Sequence, residues 1–208
     1  MHFVPLLIFL LNILLAVPMH GQELILAPDT AAGDFFGVAV SLSASGEMMV
    51  VGSPQDDVSG MIDAGSAHVF SRAGDGAWIY QQKLLAPDVS ASGAFGNSVA
   101  ISPSGDTIIV GYANDVRGTG SAHIFSRLPN GSWERQQKLL APDGAEGDGF
   151  GGSVSLSSSG DTAVVGARPT MSPVLAQPVR RTSLPARPAE AGRTSNSSLL
   201  PHPRSTHG

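Results

Sequence analysis

The chain has 208 residues, a net charge of −5 and no cysteine. The lack of cysteine excludes a disulfide framework, so the folded chain must rely on the packing of its elements. No stretch after residue 22 has the 3.6-residue apolar period of a helix, which argues against an α-helical domain.

The first predicted element is a secretory signal peptide at residues 1–21. An apolar run from Phe3 to Val17 is ended by Pro18, and Gly21 offers a small residue for cleavage. The run is shorter than the roughly 20 residues that a membrane-spanning helix needs. We therefore expect a secreted, extracellular product with no membrane insertion beyond this segment. Only the amino terminus and His2 precede the run, so an uncleaved anchor that tethers the product to the membrane is the alternative.

One sequence pattern then occurs three times. Ala-Pro-Asp, Phe-Gly and Val-Gly recur at spacings of 59 and 55 residues. The repeated residues are Phe36, Gly37 and Gly52, then Phe95, Gly96 and Gly111, then Phe150, Gly151 and Gly166. The stretch Ser66 to Arg72 returns 55 residues later, so the first copy has four extra residues between Gly52 and Gly65. Insertions of this kind belong in loops.

Each copy has the residue alternation of short strands. Val38, Val40 and Leu42 alternate with small residues, and a Ser-Gly turn leads into the apolar run Met48 to Val51. Ala67 to Phe70 and Trp78 to Leu84 give a third and a fourth strand, joined by a glycine-containing turn. Four short antiparallel strands in roughly 40–60 residues are the unit of a β-propeller blade.

The Phe-Gly pair, followed 15 residues later by the glycine of Val-Gly, resembles the FG-GAP repeat of integrin α-subunit propellers. Lys138 to Ala167 is most similar to the FG-GAP variety of large secreted and surface proteins of bacteria, algae and other eukaryotes. The resemblance implies an all-β fold, a partial β-propeller of four-stranded antiparallel blades. It divides the chain into repeat 1 at residues 22–82, repeat 2 at residues 83–137 and a partial repeat 3 at residues 138–167.

The integrin resemblance also implies Ca²⁺, which requires six to eight oxygen ligands. The turns between the first two strands offer one carboxylate each, from Glu47, Asp106 or Asp161, and we expect these to be turn residues. Further acidic residues are Asp29, Asp34, Asp143 and Asp148 in the repeats and Asp56, Asp57 and Asp63 in the insertion. The second copy has Gly93 where the others have Asp34 and Asp148, so we expect solvated loop carboxylates, no metal site and no cofactor.

We expect no catalytic residue and no enzymatic activity. His68 and His123 share one repeat position without the partners that a zinc or acid–base site needs, and we predict packed rings there. Trp78 and Trp133 also recur, and we predict packing anchors rather than sugar-binding platforms. Asn130 and Asn196 lie in glycosylation sequons, which would make a eukaryotic product a glycoprotein.

The pattern stops after Ala167. The remaining residues, 168–208, are rich in Arg, Pro and Ser and lack aromatic residues, so we predict a disordered tail. A basic arm that binds nucleic acid is one interpretation of the tail. A frame change or a missed splice boundary explains the abrupt break better, so we expect no nucleic-acid partner.

The resemblance implies a non-catalytic extracellular binding or cell-adhesion module that contacts a protein or glycan through loops on one propeller face. Open blade edges also predict self-association. One alternative is a fragment of a larger secreted or surface protein, such as an enzyme decorated with repeats, although no segment of about 100 residues remains here for a catalytic domain. A truncated gene product without independent function is another.

Overall fold

The computed structural model describes residues 23–167 and 180–183. These residues contain eleven strands and no helix: β1 Ala39–Leu42, β2 Met48–Ser53, β3 Ser66–Arg72, β4 Trp78–Leu84, β5 Phe95–Ile101, β6 Thr107–Tyr112, β7 Ser121–Arg127, β8 Trp133–Leu139, β9 Ser153–Leu156, β10 Thr162–Gly166 and β11 Arg180–Ser183. Accordingly, no helix long and apolar enough to cross a membrane occurs in the described ranges.

The strands form three antiparallel sheets, which we call blades 1, 2 and 3. Blade 1 has the order β1-β2-β3-β4, blade 2 the order β5-β6-β7-β8, and blade 3 the order β9-β10-β11. The predicted all-β fold of antiparallel blades is therefore confirmed. Blade 1 continues through Leu84, so the structural blade ends two residues beyond the predicted repeat boundary at residue 82.

Each first hairpin closes through the same Ser-x-Ser-Gly turn. In blade 1 the amide of Ser43 donates to the carbonyl of Met48 at 2.9 Å, and Gly46 has a φ of 71°. Gly105 and Gly160 occupy the equivalent positions with φ values of 72° and 73°. Glycine adopts this left-handed conformation without the steric cost that a side chain would add.

The hydrophobic core lies between the faces of successive blades. One cluster joins Val50 and Val69 of blade 1 to Ile108 and Val110 of blade 2. A second cluster joins the opposite side of blade 2, through Ile109 and its neighbours, to blade 3. Adjacent residues of β6 thus point to opposite neighbours, as the alternation of side chains along a strand requires. A central blade is therefore buried on both faces.

A short backbone contact, which we call the Phe-Gly junction, fixes each blade on the one before it. At the first junction the amide of Phe95 donates to the carbonyl of Ala64 at 3.0 Å, next to a parallel bridge between Gly65 and Phe95. A Cβ atom at Gly52 would overlap the carbonyl oxygen of Gly96, so only glycine permits this approach.

The second junction repeats the first. The amide of Phe150 donates to the carbonyl of Thr119 at 3.0 Å, and Gly120 bridges Phe150. A Cβ atom at Gly111 would overlap the carbonyl oxygen of Gly151. The repeated Phe-Gly and Val-Gly pairs are thus the two halves of the contact between blades.

Within the tail that was predicted to be disordered, the structure describes one short segment. Arg180–Ser183 forms β11, which pairs with β10 in the position that β3 and β7 occupy in their blades. The outer edge of β10 would otherwise be unpaired, and main-chain hydrogen bonds to such an edge need no particular side-chain pattern. The signal segment at residues 1–21, the rest of the tail and Asn196 lie outside the described residues.

Candidate functional site

The chemistry-bearing side chains of blades 1 and 2 gather at one end of each blade. This end contains the start of the first strand, the end of the second, the start of the third and the end of the fourth. We call the group of five residues there the Asp-Lys cluster. It consists of Asp29, Asp56, Ser66, His68 and Lys83 in blade 1, and of Asp88, Asp115, Ser121, His123 and Lys138 in blade 2.

In blade 1 the Lys83 ammonium group lies between two carboxylates. Its Nζ atom is 2.7 Å from Oδ2 of Asp29 and 2.6 Å from Oδ2 of Asp56. Asp29 enters from the segment before β1, Asp56 from the loop after β2, and Lys83 from the end of β4. The cluster therefore fastens both connecting segments to the sheet.

Ser66 and His68 complete the cluster on β3. The Ser66 hydroxyl donates to the Asp56 carboxylate, and Ser66 Oγ lies 2.8 Å from Nε2 of His68. Because the hydroxyl proton is used on Asp56, the imidazole donates from Nε2 and is neutral with Nδ1 as the acceptor. His68 Nδ1 is buried without a hydrogen-bond partner in the part of the chain that the structure describes.

Blade 2 repeats the arrangement. Lys138 Nζ lies 2.5 Å from Oδ2 of Asp88 and 3.0 Å from Oδ2 of Asp115. Asp115 is buried, and its Oδ1 accepts the amides of Arg117 and Gly120, both at 3.2 Å. The β6–β7 loop is therefore folded around a carboxylate whose charge is matched by the lysine.

The phenylalanine of the Phe-Gly pair covers the histidine of its own blade. Phe36 meets His68 edge-on with ring centroids 5.5 Å apart, and Phe95 meets His123 at the same distance. Tyr112 also packs against His123. The histidines are thus buried in aromatic surroundings, and the cluster is linked through the phenylalanine to the Phe-Gly junction.

Burial sets the protonation of the histidines. Desolvation lowers the pKa of His123 to about 4, and it lowers the pKa of His68 in the same direction. Desolvation alone would lower the pKa of Lys83 and Lys138, but their hydrogen bonds to the paired carboxylates outweigh it and raise the pKa of both. At neutral pH each lysine is therefore charged and each histidine neutral.

The aspartate of the incoming segment, Asp29 in blade 1 and Asp88 in blade 2, has a lowered pKa beside its lysine. The hydrogen bond from Lys83 lowers the pKa of Asp29. Burial would raise the pKa of Asp88, but the hydrogen bond and charge of Lys138 outweigh it, so the pKa of Asp88 is also lowered. Both aspartates are ionised at neutral pH.

The geometry suits a structural ion pair better than a reactive site. The Ser66 hydroxyl is fully buried and donates to Asp56 rather than to His68, so the histidine does not take its proton as a general base would. The lysine ammonium occupies the place between the two carboxylates that a cation would take. No group of three or more His, Cys, Asp or Glu side chains with metal-binding geometry occurs among the described residues.

The predicted turn residues Asp106 and Asp161 lie at the other end of the blades. Oδ1 of Asp106 accepts the hydroxyls of Ser102, Ser104 and Thr107 at 3.1, 2.7 and 3.1 Å. Asp161 makes the equivalent hydrogen bonds with Ser157, Ser159 and Thr162. These carboxylates are acceptors within their own turns. Asn130 lies in the β7–β8 turn, where its Oδ1 accepts from the Ser132 hydroxyl at 2.8 Å.

The expectation of solvated loop carboxylates is wrong for Asp56 and Asp34. Asp56 is buried by its contacts with Lys83 and Ser66. Asp34 is buried as well and accepts the amide of Ala31 at 2.6 Å. Sequence reasoning did not single out Asp115 or the two lysines. The usable signal was that Asp56 recurs as Asp115 at the 59-residue spacing and Lys83 recurs as Lys138 at the 55-residue spacing.

The predicted packing residues occupy different environments in the two complete blades. Trp133 is buried between blades 1 and 2, where its backbone amide donates to Oε1 of Gln82 at 2.7 Å. Trp78 lies on the outer face of blade 1, with the Arg72 guanidinium 5.9 Å from its ring centroid. This difference follows from the absence of a preceding blade beside blade 1 among the described residues.

The sequence profile of the FG-GAP repeat matches residues 21–70, 78–125 and 133–173, which together make up more than half of the chain. The chain belongs to the FG-GAP repeat family. No curated protein matches it. The matched segments contain every residue of both Asp-Lys clusters and all three Phe-Gly pairs. The lysine of each cluster lies in the matched segment after the one that contains the other four residues, so two successive FG-GAP repeats supply each complete blade and its cluster.

One similar solved structure is the periplasmic gluconolactonase PpgL of Pseudomonas aeruginosa. The sequence identity is 20%, the TM-score is 0.30, and the match covers 70% of this FG-GAP chain and 56% of the gluconolactonase chain. The FG-GAP chain thus spans little more than half the length of that protein.

The expectation that the chain is not an enzyme is corrected by this comparison. One solved structure to which the chain is similar is an enzyme, so the expectation of no enzymatic activity is withdrawn. With a TM-score of 0.30 the similarity assigns no activity to this chain either.

Proposed function

We propose that this propeller-type module is an extracellular binding or adhesion module that contacts a protein or a glycan through loops at the cluster end of its blades. The proposal rests on the insertion loop, which we define as residues 54–64. This loop exposes apolar side chains, and hydrogen bonds hold its backbone in place. Loops held by a rigid scaffold are the usual place for binding residues.

The insertion loop contains a small hairpin of its own. Val58 and Met61 exchange backbone hydrogen bonds at 3.1 and 2.9 Å, and Ser59 and Gly60 both have positive φ values. This is the geometry of a two-residue hairpin turn. The four extra residues of the first copy thus make an ordered projection.

Hydrogen bonds hold the projection in place from within the loop and from the neighbouring connection. The amide of Asp63 donates to Oδ1 of Asp57 at 2.9 Å, and the amide of Ser92 donates to the carbonyl of Ile62 at 2.8 Å. The second contact ties the loop to the connection between blades 1 and 2. A loop ordered in advance loses less conformational entropy when it binds.

Exposed apolar side chains follow the turn of the projection. Met61 and Ile62 both face solvent, and Val116 is exposed on the equivalent loop of blade 2. Burial of such side chains against a partner would contribute about 25 cal/mol per Å² of apolar surface. This composition supports a protein partner over a purely polar ligand.

The binding proposal is tested by presenting the secreted chain to arrays of extracellular proteins and of glycans. We expect binding to a protein, and we expect the double change Met61→Ser, Ile62→Ser to weaken it at least tenfold. Ile79→Ser is the matched control, because Ile79 is an exposed apolar residue at the opposite end of blade 1. Binding that survives the loop change, or that is lost equally in the control, would refute the role of the loop.

The extracellular location is tested separately by expressing the full chain in secreting cells. We expect the product in the medium with Gln22 at its amino terminus. Intact Met1 in a membrane fraction would show instead that the apolar segment is an anchor.

A further inference from the structure

The outer face of blade 1, which we call the front face, has an exposed apolar part whose equivalent in blade 2 is buried. The exposed part is Val40 and Leu42, whereas Met49, Val51 and Phe70 of the same face are buried in a cluster with the partly buried Phe36, Trp78 and Tyr80. Val40 is 54% exposed and Leu42 is 52% exposed, whereas the equivalent Val99 and Ile101 of blade 2 are 9% and 6% exposed. Blade 2 therefore shows which kind of surface covers the positions of Val40 and Leu42 when they are buried.

In the chain, a front face is covered by the back face of the preceding blade. Val99 and Ile101 lie in one cluster with Met48, Val50 and Val69 of blade 1. Ser41 of blade 1 adds a polar contact, because its Oγ accepts the amide of Ile101 at 3.2 Å. Both contacts between the described blades pair a front face with the opposite face of the preceding blade.

Blade 1 also carries an unused half of the Phe-Gly junction. No atom outside the immediate neighbours of Gly37 lies within 4 Å of the place where its Cβ would be, in contrast to Gly96 and Gly151. Phe35, which precedes the Phe36-Gly37 pair, is exposed and has a φ of 53°. The equivalent Ala94, which precedes Phe95-Gly96 in the formed junction, has a φ of 56°. The backbone is thus already shaped for a contact that blade 1 does not make among the described residues.

Blade 3 carries the complementary half. At Gly52 and Gly111 the atoms nearest to an added Cβ include the carbonyl oxygen of the next blade's Phe-Gly pair, whereas at Gly166 the three nearest atoms all belong to Ser153. Ser98, the equivalent of Ser153, donates to the carbonyl of Gly151 at 2.7 Å. Gly166 and Ser153 together therefore form a receiving surface of the same kind.

We propose that two copies of this chain associate head to tail, with the front face and Phe36-Gly37 of each copy docked on Gly166 and Ser153 of blade 3 of the other. The contact copies the two junctions within the chain. Two copies bring six blades together, within the four to eight that closed propellers contain. Closure removes both exposed faces, as expected for repeats that bury their apolar surface only against a neighbour.

The test is the mass of the secreted chain by sedimentation equilibrium over a range of concentrations. We expect the unchanged chain to be a dimer. The double change Val40→Glu, Leu42→Glu alters the front face and should give a monomer, and Gly166→Val alters blade 3 and should also give a monomer. Ile79→Glu is the matched control and should remain a dimer, since its equivalent in blade 2 is the exposed Glu134. Circular dichroism identifies any variant that fails to fold. Val40→Glu alone is the substitute on the front face, and Ser153→Arg is the substitute on blade 3, where Ser153 is exposed.

Mixing the two monomeric variants tests the direction of the contact. Each variant keeps the half that the other has lost, so an equimolar mixture should recover a dimer with one intact junction. A monomeric wild-type chain at all concentrations would overturn the proposal. Dimers formed by the Gly166→Val variant alone would also overturn it, because they would show front-to-front pairing.

Discussion

Lys83 and Lys138 are the residues that organise the cluster end of each complete blade. Each ammonium group joins an aspartate of the incoming segment to a buried aspartate of the loop after the second strand. Removing one member of such a set leaves a buried charge without its counter-ion, which costs more than the pair contributes by its presence. The cluster is therefore sensitive to single substitutions.

We expect Lys138→Met to destabilise the chain by about 3 kcal/mol, because the buried carboxyl group of Asp115 would lose its positively charged partner. Urea unfolding at pH 7 measures the change. Arg135→Met is the matched control: it removes one positive charge from an exposed position on the same strand, and we expect a change within about 0.5 kcal/mol. Equal effects of the two substitutions would show that net charge, and not the buried pair, is responsible.

Because the histidines are buried, we expect the stability of the folded chain to fall in mild acid. The pKa of His123 is about 4 in the folded chain, against about 6.5 when unfolded, so the unfolded chain binds more protons between these values. The free energy of unfolding should be fully retained above pH 6.5 and should decrease by on the order of 2–3 kcal/mol as the pH falls to about 4.

His123→Phe tests the origin of this slope. The ring sits among Phe95 and Tyr112 and its Nδ1 has no hydrogen-bond partner among the described residues, so phenylalanine should be accommodated. We expect a smaller loss of stability between pH 6.5 and 4, with the contribution of His68 retained. A further loss of stability below about pH 4, where protonation of Asp88 breaks its ion pair with Lys138, should remain. An unchanged slope would place the acid sensitivity elsewhere.

At the scale of the elements, the strands were readable from the sequence because their residues alternate with a period of two and glycine-containing turns separate them. The strands β1 to β4 lie where that pattern predicts them, and β6 to β8 follow at the repeat spacing, whereas β5 begins earlier than its apolar alternation, at Phe95. β11 could not be predicted, since Arg180–Ser183 has no apolar alternation and is positioned by the open edge of β10.

The Asp-Lys cluster escaped prediction for a related reason. Its members lie in different elements, and an aspartate in a loop has no local feature that distinguishes a buried carboxylate from a solvated one. Asp56 is adjacent to Asp57, yet the first is buried and the second is exposed. Only the three-dimensional approach of β4 to the β2–β3 loop decides between them.

The glycine of Val-Gly predicts a sharp contrast between two alanine substitutions. We expect Gly52→Ala to destabilise the chain by at least about 2 kcal/mol, because the new methyl group would overlap the backbone of Gly96. Gly74→Ala should have little effect, since no atom beyond its immediate neighbours lies within 4 Å of its Cβ position and its φ is not positive. Thermal unfolding of both variants measures the difference, and similar midpoints would contradict the close approach.

At the scale of the whole molecule, stability comes from stacking rather than from any single sheet. The clusters between blades contain nearly all the large buried side chains, among them Phe95, Tyr112 and Ile124. A four-stranded blade alone would expose both apolar faces to water. The Phe-Gly junction and the face-to-face core therefore have to form together.

Hydrogen exchange at the Phe95 and Phe150 amides is the most direct test of this stacking, because these two amides cross from one blade to the preceding one. We predict that both exchange as slowly as the amide of Val110 in the centre of blade 2, through global unfolding only. Exchange at the rate of an exposed turn amide such as Ser45, while Val110 stays protected, would show that the blades fold separately and are not docked through the Phe-Gly junction.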